Sequence, residues 1–456
     1  MKFRNYVKAS AGALTLILSL MSFGVMAKVS PDEAAKLKTT LTPLGGEKAA
    51  NADGSIPAWN GGLTKAPAGW GGTGKRYIDP FPEDKPKFVI TKDNLAQYKD
   101  KLSPGQLALF AKYATYKMPV YETRRTNANP EFVYEATFKN ATSGELVAGG
   151  DGVAGAVTGI PFPIPKNGAE VIWNHKLRYR GDAIRRWNNQ FALTTQGSYN
   201  LVKIQEDALF SYSKKDITPE ALNNIAVYFL QITTEPARLA GGILLVHETM
   251  NQVTEPRRAF VYNPGQRRLR RAPNVAYDNP GTASDGLRTN DQLDMFNGAL
   301  DRYDWKLVGK KEMYVPYNSY KLHSDKYKYK DIVTPQHTNQ DLTRYELHRV
   351  WVVDSTVKKG TNHIYSRRTF YVDEDTWQIS VVDVFDQRGQ MWRVQEAHPY
   401  IAYDKGAIFS AMESAYDLQS ARYLLNSLNN EDEETKSMNL DASYFDPANV
   451  TKLASK

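Results

Sequence analysis

Six arginines flank one predicted turn: Arg257 and Arg258 before Asn263-Pro264-Gly265, and Arg267, Arg268, Arg270 and Arg271 after it. A guanidinium fork meets a phosphate or carboxylate with two parallel hydrogen bonds. The cluster is therefore a candidate docking surface for an acidic partner or an anionic headgroup. The other reading is a charged outer face that keeps an edge strand from pairing with another chain. The remaining motifs lack the partners their chemistry needs. Gly150-Asp151-Gly152-Val153-Ala154-Gly155 fits G-x-G-x-x-G, but a dinucleotide site needs a helix to follow, and Pro161, Pro163 and Pro165 forbid one. The stretch reads as a loop, a rim or a lid. Ser211 and Lys214 have S-x-x-K spacing without the S-D-N and K-T-G partners of a β-lactamase-like site. None of the seven His forms H-x-H or H-E-x-x-H; His348 and His363 fall on adjacent predicted strands, yet a zinc site there lacks a third ligand. Asp373-Glu374-Asp375 and Glu431-Asp432-Glu433-Glu434 have no EF-hand spacing and read as a turn and solvated surface. No catalytic residue, metal ligand or cofactor is assigned, and the chain reads as a non-enzyme. Trp173, Trp187, Trp305, Trp351, Trp377 and Trp392 either line an apolar ligand cavity or form plain core.

The elements that would position these residues centre on residues 341–397. Runs at 342–357, 363–372, 377–385 and 391–396 are rich in β-branched and aromatic residues, with Asp, Gly or Lys at each break, as hairpins require. Ile364, Ser366, Arg368, Phe370 and Val372 share one face; His363, Tyr365, Arg367, Thr369 and Tyr371 share the other. Both faces mix apolar and charged groups, which suits a wide curved sheet with one face partly open. Residues 260–269 echo residues 370–379 as strand, tight polar turn and strand, so both can be hairpins of one sheet. Further strands are expected at 120–125, 131–139, 170–179, 183–194, 199–212, 242–250, 258–262, 267–271 and 305–315. Helices are expected at 31–40, 91–100, 103–117, 218–230, 290–299 and 404–428; Ser30 and Ser103 each precede Pro and a Glu or Gln three residues on. Residues 41–86, rich in Gly and Pro with Trp59, Trp70 and Phe81 among them, read as an arm strapped across the body by its aromatic side chains.

The first 27 residues have the form of a secretory leader: Lys2, Arg4 and Lys8, then an apolar run, then Val25-Met26-Ala27 for cleavage after Ala27. No Cys follows it, and the chain has none at all, which excludes disulfides, thiol catalysis and thiolate metal sites. A disulfide-free exported chain of 456 residues suits a bacterial periplasm, where a large core replaces covalent staples. Without the leader the charge balance is 55 basic against 50 acidic residues, a mild excess that makes nucleic acid an unsuitable partner and anionic lipid a natural one. The domain reading is a signal peptide at 1–27, an extended arm with a short helix at 28–90, a single curved-sheet domain at 91–430 and a tail at 431–456.

Several stretches together resemble one family: Ala52-Asp53-Gly54-Ser55-Ile56-Pro57-Ala58-Trp59, Gly159-Ile160-Pro161-Phe162-Pro163 through Trp173-Asn174-His175, Val261-Tyr262-Asn263-Pro264-Gly265-Gln266-Arg267-Arg268, Asn297-Gly298-Ala299-Leu300-Asp301-Arg302-Tyr303-Asp304-Trp305 and Val315-Pro316-Tyr317-Asn318. They are similar to the DUF1329 family of exported proteobacterial proteins. The resemblance implies an α+β, mostly β fold like that of the lipoprotein carriers LolA and LolB: an unclosed, curved antiparallel sheet with helices on its concave face. It implies a periplasmic carrier or chaperone for a lipid or other hydrophobic molecule, lipoprotein acyl chains included. It also implies an association with an RND-type (MMPL) transporter and an outer-membrane β-barrel, for which an accessory subunit without its own ligand is the alternative. It carries over no catalytic residues.

Overall fold

Seventeen strands are hydrogen-bonded into one sheet, and the chain enters it late. The computed structural model describes residues 28–147 and 149–453; the expected leader at 1–27 lies outside them. Helix α1 (Pro31–Ala35) is closed by a capping box, Ser30 and Glu33 each bonding the other's backbone N–H. Then come β1 (Phe88–Ile90), α2 (Pro104–Lys112), β2 (Met118–Val120), α3 (Glu131–Ser143), the small hairpin β3 (Glu145–Leu146) and β4 (Val153–Ala154), and α4 (Gly168–Leu177). The main sheet follows: β5 (Ala183–Trp187), β6 (Asn189–Leu193), β7 (Tyr199–Leu209), the single-turn α5 (Pro219–Leu222), β8 (Ile225–Glu235), β9 (Ile243–Thr249), β10 (Arg258–Asn263), β11 (Arg268–Arg271) and β12 (Tyr303–Pro316). Two short helices, α6 (Tyr320–His323) and α7 (Tyr329–Ile332), precede β13 (Tyr345–Val357), β14 (Arg367–Asp373), β15 (Ile379–Phe385), β16 (Met391–Ala402), β17 (Ala407–Asp417), β18 (Arg422–Leu428) and β19 (Lys436–Ser437); α8 (Pro447–Leu453) ends the described chain.

From edge to edge the antiparallel order is β11, β10, β9, β8, β7, then β5 and β6 end to end, β18, β17, β16, β15, β14, β13, β12. Among the described residues β11 and β12 do not pair with each other, so the sheet stays open. Register shifts at Leu307/Gly309, Tyr371/Val372, Val384/Phe385 and His398/Pro399 bend it. Pro399 sits at such a shift, where its missing N–H breaks no regular ladder bond.

Both faces are covered. Phe370, Val372, Val382 and Val384 pack with Val171, Ile172 and Trp173 of α4 and with Phe296 and Leu300. On the opposite face Tyr371 and Val381 pack with Met313 and Val350, and α2 lies against β15 through Ser103 and Gly105. The connection from β11 to β12, residues 272–302, joins the two open edges by running over the inner face. Its Leu287 packs on Ala192, Ala415 and Leu424, its Asp291 meets Arg368 at 2.9 Å, and its Gln292 donates to Gln395 at 2.7 Å.

Four expectations are corrected. Residues 404–428 form the hairpin β17–β18, not a helix; every residue of β17 is buried, so apolar side chains on both faces erase the period-two signal. Residues 170–179 are mostly α4, not a strand; all ten of its residues are buried, so it has no amphipathic stripe. Residues 131–139 belong to helix α3, entered at Pro130 without a side-chain cap. The expected helix at 218–230 stops after α5, where Asn223 and Asn224 take positive φ and turn the chain into β8.

The α2 contact carries a pH signature. Asp383 is fully buried and accepts from Ser103 Oγ at 2.8 Å, Gly105 N at 3.1 Å and Tyr371 Oη at 3.2 Å. A Cβ on Gly105 would stand 2.2 Å from that carboxylate, so the close approach requires glycine. Burial outweighs these bonds and pushes the Asp383 carboxyl up to about 6. Between about pH 4 and 6 the folded state holds a proton that the unfolded state has released, so stability falls as pH rises through that window. Wild type should lose up to about 3 kcal/mol there relative to Asp383→Asn. Urea unfolding at stepped pH measures it, and parallel profiles for the two proteins would contradict the assignment.

Candidate functional site

On the β5–β9 side of the sheet, alternate residues point to opposite faces. Register places Glu206 opposite Gln231, and Ala208 opposite Phe229, which in turn pairs with Val246. These side chains look inward, while Leu209, Leu230 and Leu245 look outward and pack under Phe445 and Val450. Between the inward residues, the end of α4 and residues 275–297 lies a cavity of about 120 Å³. Its walls include Ile184, Phe210, Phe229, Leu244, Val246, Phe296 and Ile408.

The same cavity holds six cations, Lys176, Arg178, Arg180, Arg186, Arg257 and Arg288, against three carboxylates, Glu206, Glu248 and Asp294. Two carboxylates are shared. Asp294 takes Arg178 at 2.5 Å and Arg180 at 2.7 Å; Glu248 takes Lys176 at 3.3 Å and Arg257 at 2.5 Å. Glu206 pairs with Arg186 at 2.7 Å. Burial lowers the Lys176 ammonium and brings the Arg180 guanidinium down to about 10. Burial would raise Asp294 and Glu248, but their paired cations hold both below the usual carboxylate range. The result is an amphiphilic cavity with an excess of positive charge.

A second buried polar group lies on β13–β15. His348, Asp373 and Asp375 bring one ligand atom each within 4.8 Å of one another, a set that could hold a metal ion. Arg125, however, takes both Asp375 oxygens at 2.8 and 2.7 Å, and His348 Nε2 bonds Glu346 at 3.0 Å. Lys310 and Arg349 pair with Glu374 at 2.7 and 3.1 Å, so two of the three carboxylates of this turn already have cations.

The model of the DUF1329 family, proteins of unknown function, matches residues 89–451. The chain belongs to the DUF1329 family. An uncharacterized protein of Pseudomonas aeruginosa is 56% identical over 432 residues, covering 94% of this chain and 95% of the relative. Among solved structures, a putative outer membrane lipoprotein-sorting protein domain from Vibrio parahaemolyticus is 12% identical with a TM-score of 0.43, over 62% of this chain and 98% of that one. A DUF1329 family protein from Desulfovibrio piger is 14% identical with a TM-score of 0.40, over 59% and 92%. A LolA superfamily protein from Nitrosomonas europaea is 11% identical with a TM-score of 0.38, over 62% and 99%.

In this DUF1329 chain the six arginines of the sequence cluster part company. Arg257 lines the cavity, whereas Arg258, Arg267, Arg268, Arg270 and Arg271 are exposed on the β10–β11 edge. His348 and His363 do not meet: His348 bonds Glu346, and His363 bonds Asp291 at 3.0 Å. Asp373-Glu374-Asp375 is buried rather than solvated. The loop at 150–155 is packed, not free; Trp173 Nε1 donates to Gly150 O at 2.9 Å, and Leu300 N donates to Asp151 Oδ1 at 2.8 Å. Arg178, Arg180, Arg186 and Arg288 were not singled out by sequence, although Arg186, Glu206 and Glu248 carried one signal: charges at inward positions of otherwise apolar strands.

Proposed function

We propose that this DUF1329 protein is a non-catalytic periplasmic carrier that binds a hydrophobic or amphiphilic molecule against the inner face of its sheet. The observation that carries this reading is the cavity between β5–β9, α4 and residues 275–297, whose lining combines apolar side chains with buried charged ones. Burial of a ligand's apolar surface there is worth roughly 25 cal/mol per Å². The cavity's 120 Å³ compares with the roughly 150 Å³ that admits a benzene-sized group, and is well short of the roughly 300–1,000 Å³ of pockets that enclose whole ligands. A longer ligand therefore enters as the 272–302 segment lifts. The leader-like first 27 residues support the location, and no helix among the described residues is long and apolar enough to cross a membrane. In the carrier cycle the exposed Arg258, Arg267, Arg268, Arg270 and Arg271 edge meets the acidic face of an envelope partner, an RND-type transporter or an outer-membrane barrel. Native mass spectrometry of gently purified protein tests the reading. The expected spectrum shows a bound molecule, or uptake of added acyl chains; ligand-free protein that takes up neither overturns it.

A further inference from the structure

Arg288 is the one cavity cation that has no carboxylate partner among the described residues. It sits on the segment that crosses the inner face and is 3% exposed. Among the described residues its guanidinium makes only long hydrogen bonds, to neutral acceptors: Nη1 to Thr289 O at 3.5 Å and Nη2 to Gln190 Oε1 at 3.4 Å. Nε has no partner. Gly281 covers the guanidinium so closely that a Cβ there would stand 3.0 Å from it. Burial lowers its affinity for the proton, and the carboxylates that act on it, Glu413, Glu206 and Asp291, do so from beyond ion-pairing distance. Glu413 itself is buried, accepts from Asn426 Nδ2 at 3.1 Å and is pushed up by burial, with Asp294 adding to the rise. A buried guanidinium left in this state opposes folding unless something pairs with it.

The other cavity cations reinforce the same sign. Glu248 and Asp294 each neutralise one of the two cations they hold. Two further positive charges thus remain uncompensated around the same space, whose remaining walls are apolar. A neutral hydrophobic ligand would leave all three charges buried without a counter-ion. A ligand with one oxyanion group on an apolar body satisfies both halves of the wall.

We infer that the cavity selects an anionic amphiphile, a carboxylate- or phosphate-headed acyl chain, whose head group pairs with Arg288. This rests on the carrier reading and names the ligand class within it. The head group accepts from the Arg288 guanidinium, and the apolar chain lies along Phe229, Val246 and Phe296. The full chain tests it by titration with palmitate, lysophosphatidate, the neutral ester monopalmitin and inorganic phosphate, on wild type, Arg288→Gln and Arg288→Met. Wild type should bind palmitate or lysophosphatidate at least tenfold more tightly than monopalmitin. Both variants should lose that preference while still binding monopalmitin. Their Tm without ligand should stay equal or rise, because an unpaired buried charge has been removed. That rise separates lost recognition from lost folding. Equal affinity for palmitate and monopalmitin in wild type, or a preference that survives in both variants, overturns the inference and leaves the carrier standing. Phosphate binding as tight as lysophosphatidate overturns it in favour of a small-anion site. Binding of none of the four overturns the carrier reading with it.

Discussion

Asp291→Ala should destabilise the protein by about 3–5 kcal/mol, the range for stripping one partner from a buried ion pair. Asp291 is 2% exposed and Arg368 is 1% exposed. The carboxylate accepts from Arg368 at 2.9 Å, His363 at 3.0 Å and Thr289 Oγ1 at 2.5 Å. Burial would raise its pKa, but Arg368 and His363 hold it far below the ordinary carboxylate range. Arg368 has nowhere else to turn: its Nε and Nη2 are already unpartnered, and its guanidinium lies among the rings of Phe296, Tyr303, Tyr365 and Phe370. Urea unfolding measures the loss. A double variant, Asp291→Ala with Arg368→Met, should recover a large part of it, since removing both charges leaves no orphan. No recovery would mean the loss comes from packing of the 272–302 segment and not from charge.

Arg125→Ala should have an effect of the same order, about 3–5 kcal/mol, with a different local consequence. Arg125 bonds both oxygens of Asp375, and it also donates to Glu47 O at 2.7 Å and Pro57 O at 3.1 Å. It is one of the points where the N-terminal arm is fastened to the β14–β15 turn, beside Arg349 donating to Ala49 O and Trp377 Nε1 to Leu44 O, each at 2.9 Å. Farther along, rings help to hold the arm: Trp70 stacks near Tyr77 and meets Tyr403 edge-on, and Phe81 lies under Arg124 and Arg344. Limited proteolysis should show new cleavage within residues 41–60 in the variant, while the aromatic contacts keep residues 70–81 protected. Unchanged digestion together with unchanged Tm would show that Arg125 does not fasten the arm.

The sheet's centre was legible because hairpin chemistry survives burial. Asp373-Glu374-Asp375, Asp386-Gln387-Arg388-Gly389 and Asn263-Pro264-Gly265 all mark turns, and the strands they separate appear at β13–β16 and β10–β11. The capping boxes at Ser30 and Ser103 located α1 and α2 from four residues each. What failed was periodicity in segments buried on all sides. β17 and α4 present apolar or paired side chains in every direction, so neither period exists to be read. Polar residues misled in the other direction. Asp373, Glu374 and Asp375 looked like a solvated turn, since nothing local announces that Arg125, Lys310 and Arg349 arrive from other strands and loops to pair with them. The cavity was hidden for the same reason: its cations come from the end of α4, from β5, from the approach to β10 and from the 272–302 segment, and only register brings them together.

The segment between β11 and β12 is anchored at both ends, one at each open edge of the sheet. Its 31 residues could reach on the order of 100 Å if drawn out, at roughly 3.3 Å per residue, so nothing in its length keeps it down. Leu287, Asp291 and Gln292 do that by contacts with the inner face, together with Asp294, which holds Arg178 and Arg180. A segment lifted from those contacts stays tethered at high local concentration and can return without diffusing. Any ligand longer than the cavity enters only in the fraction of molecules whose segment is raised. The segment's return sets Arg288 and Phe296 back against the ligand, so loading and release pass through the same raised state.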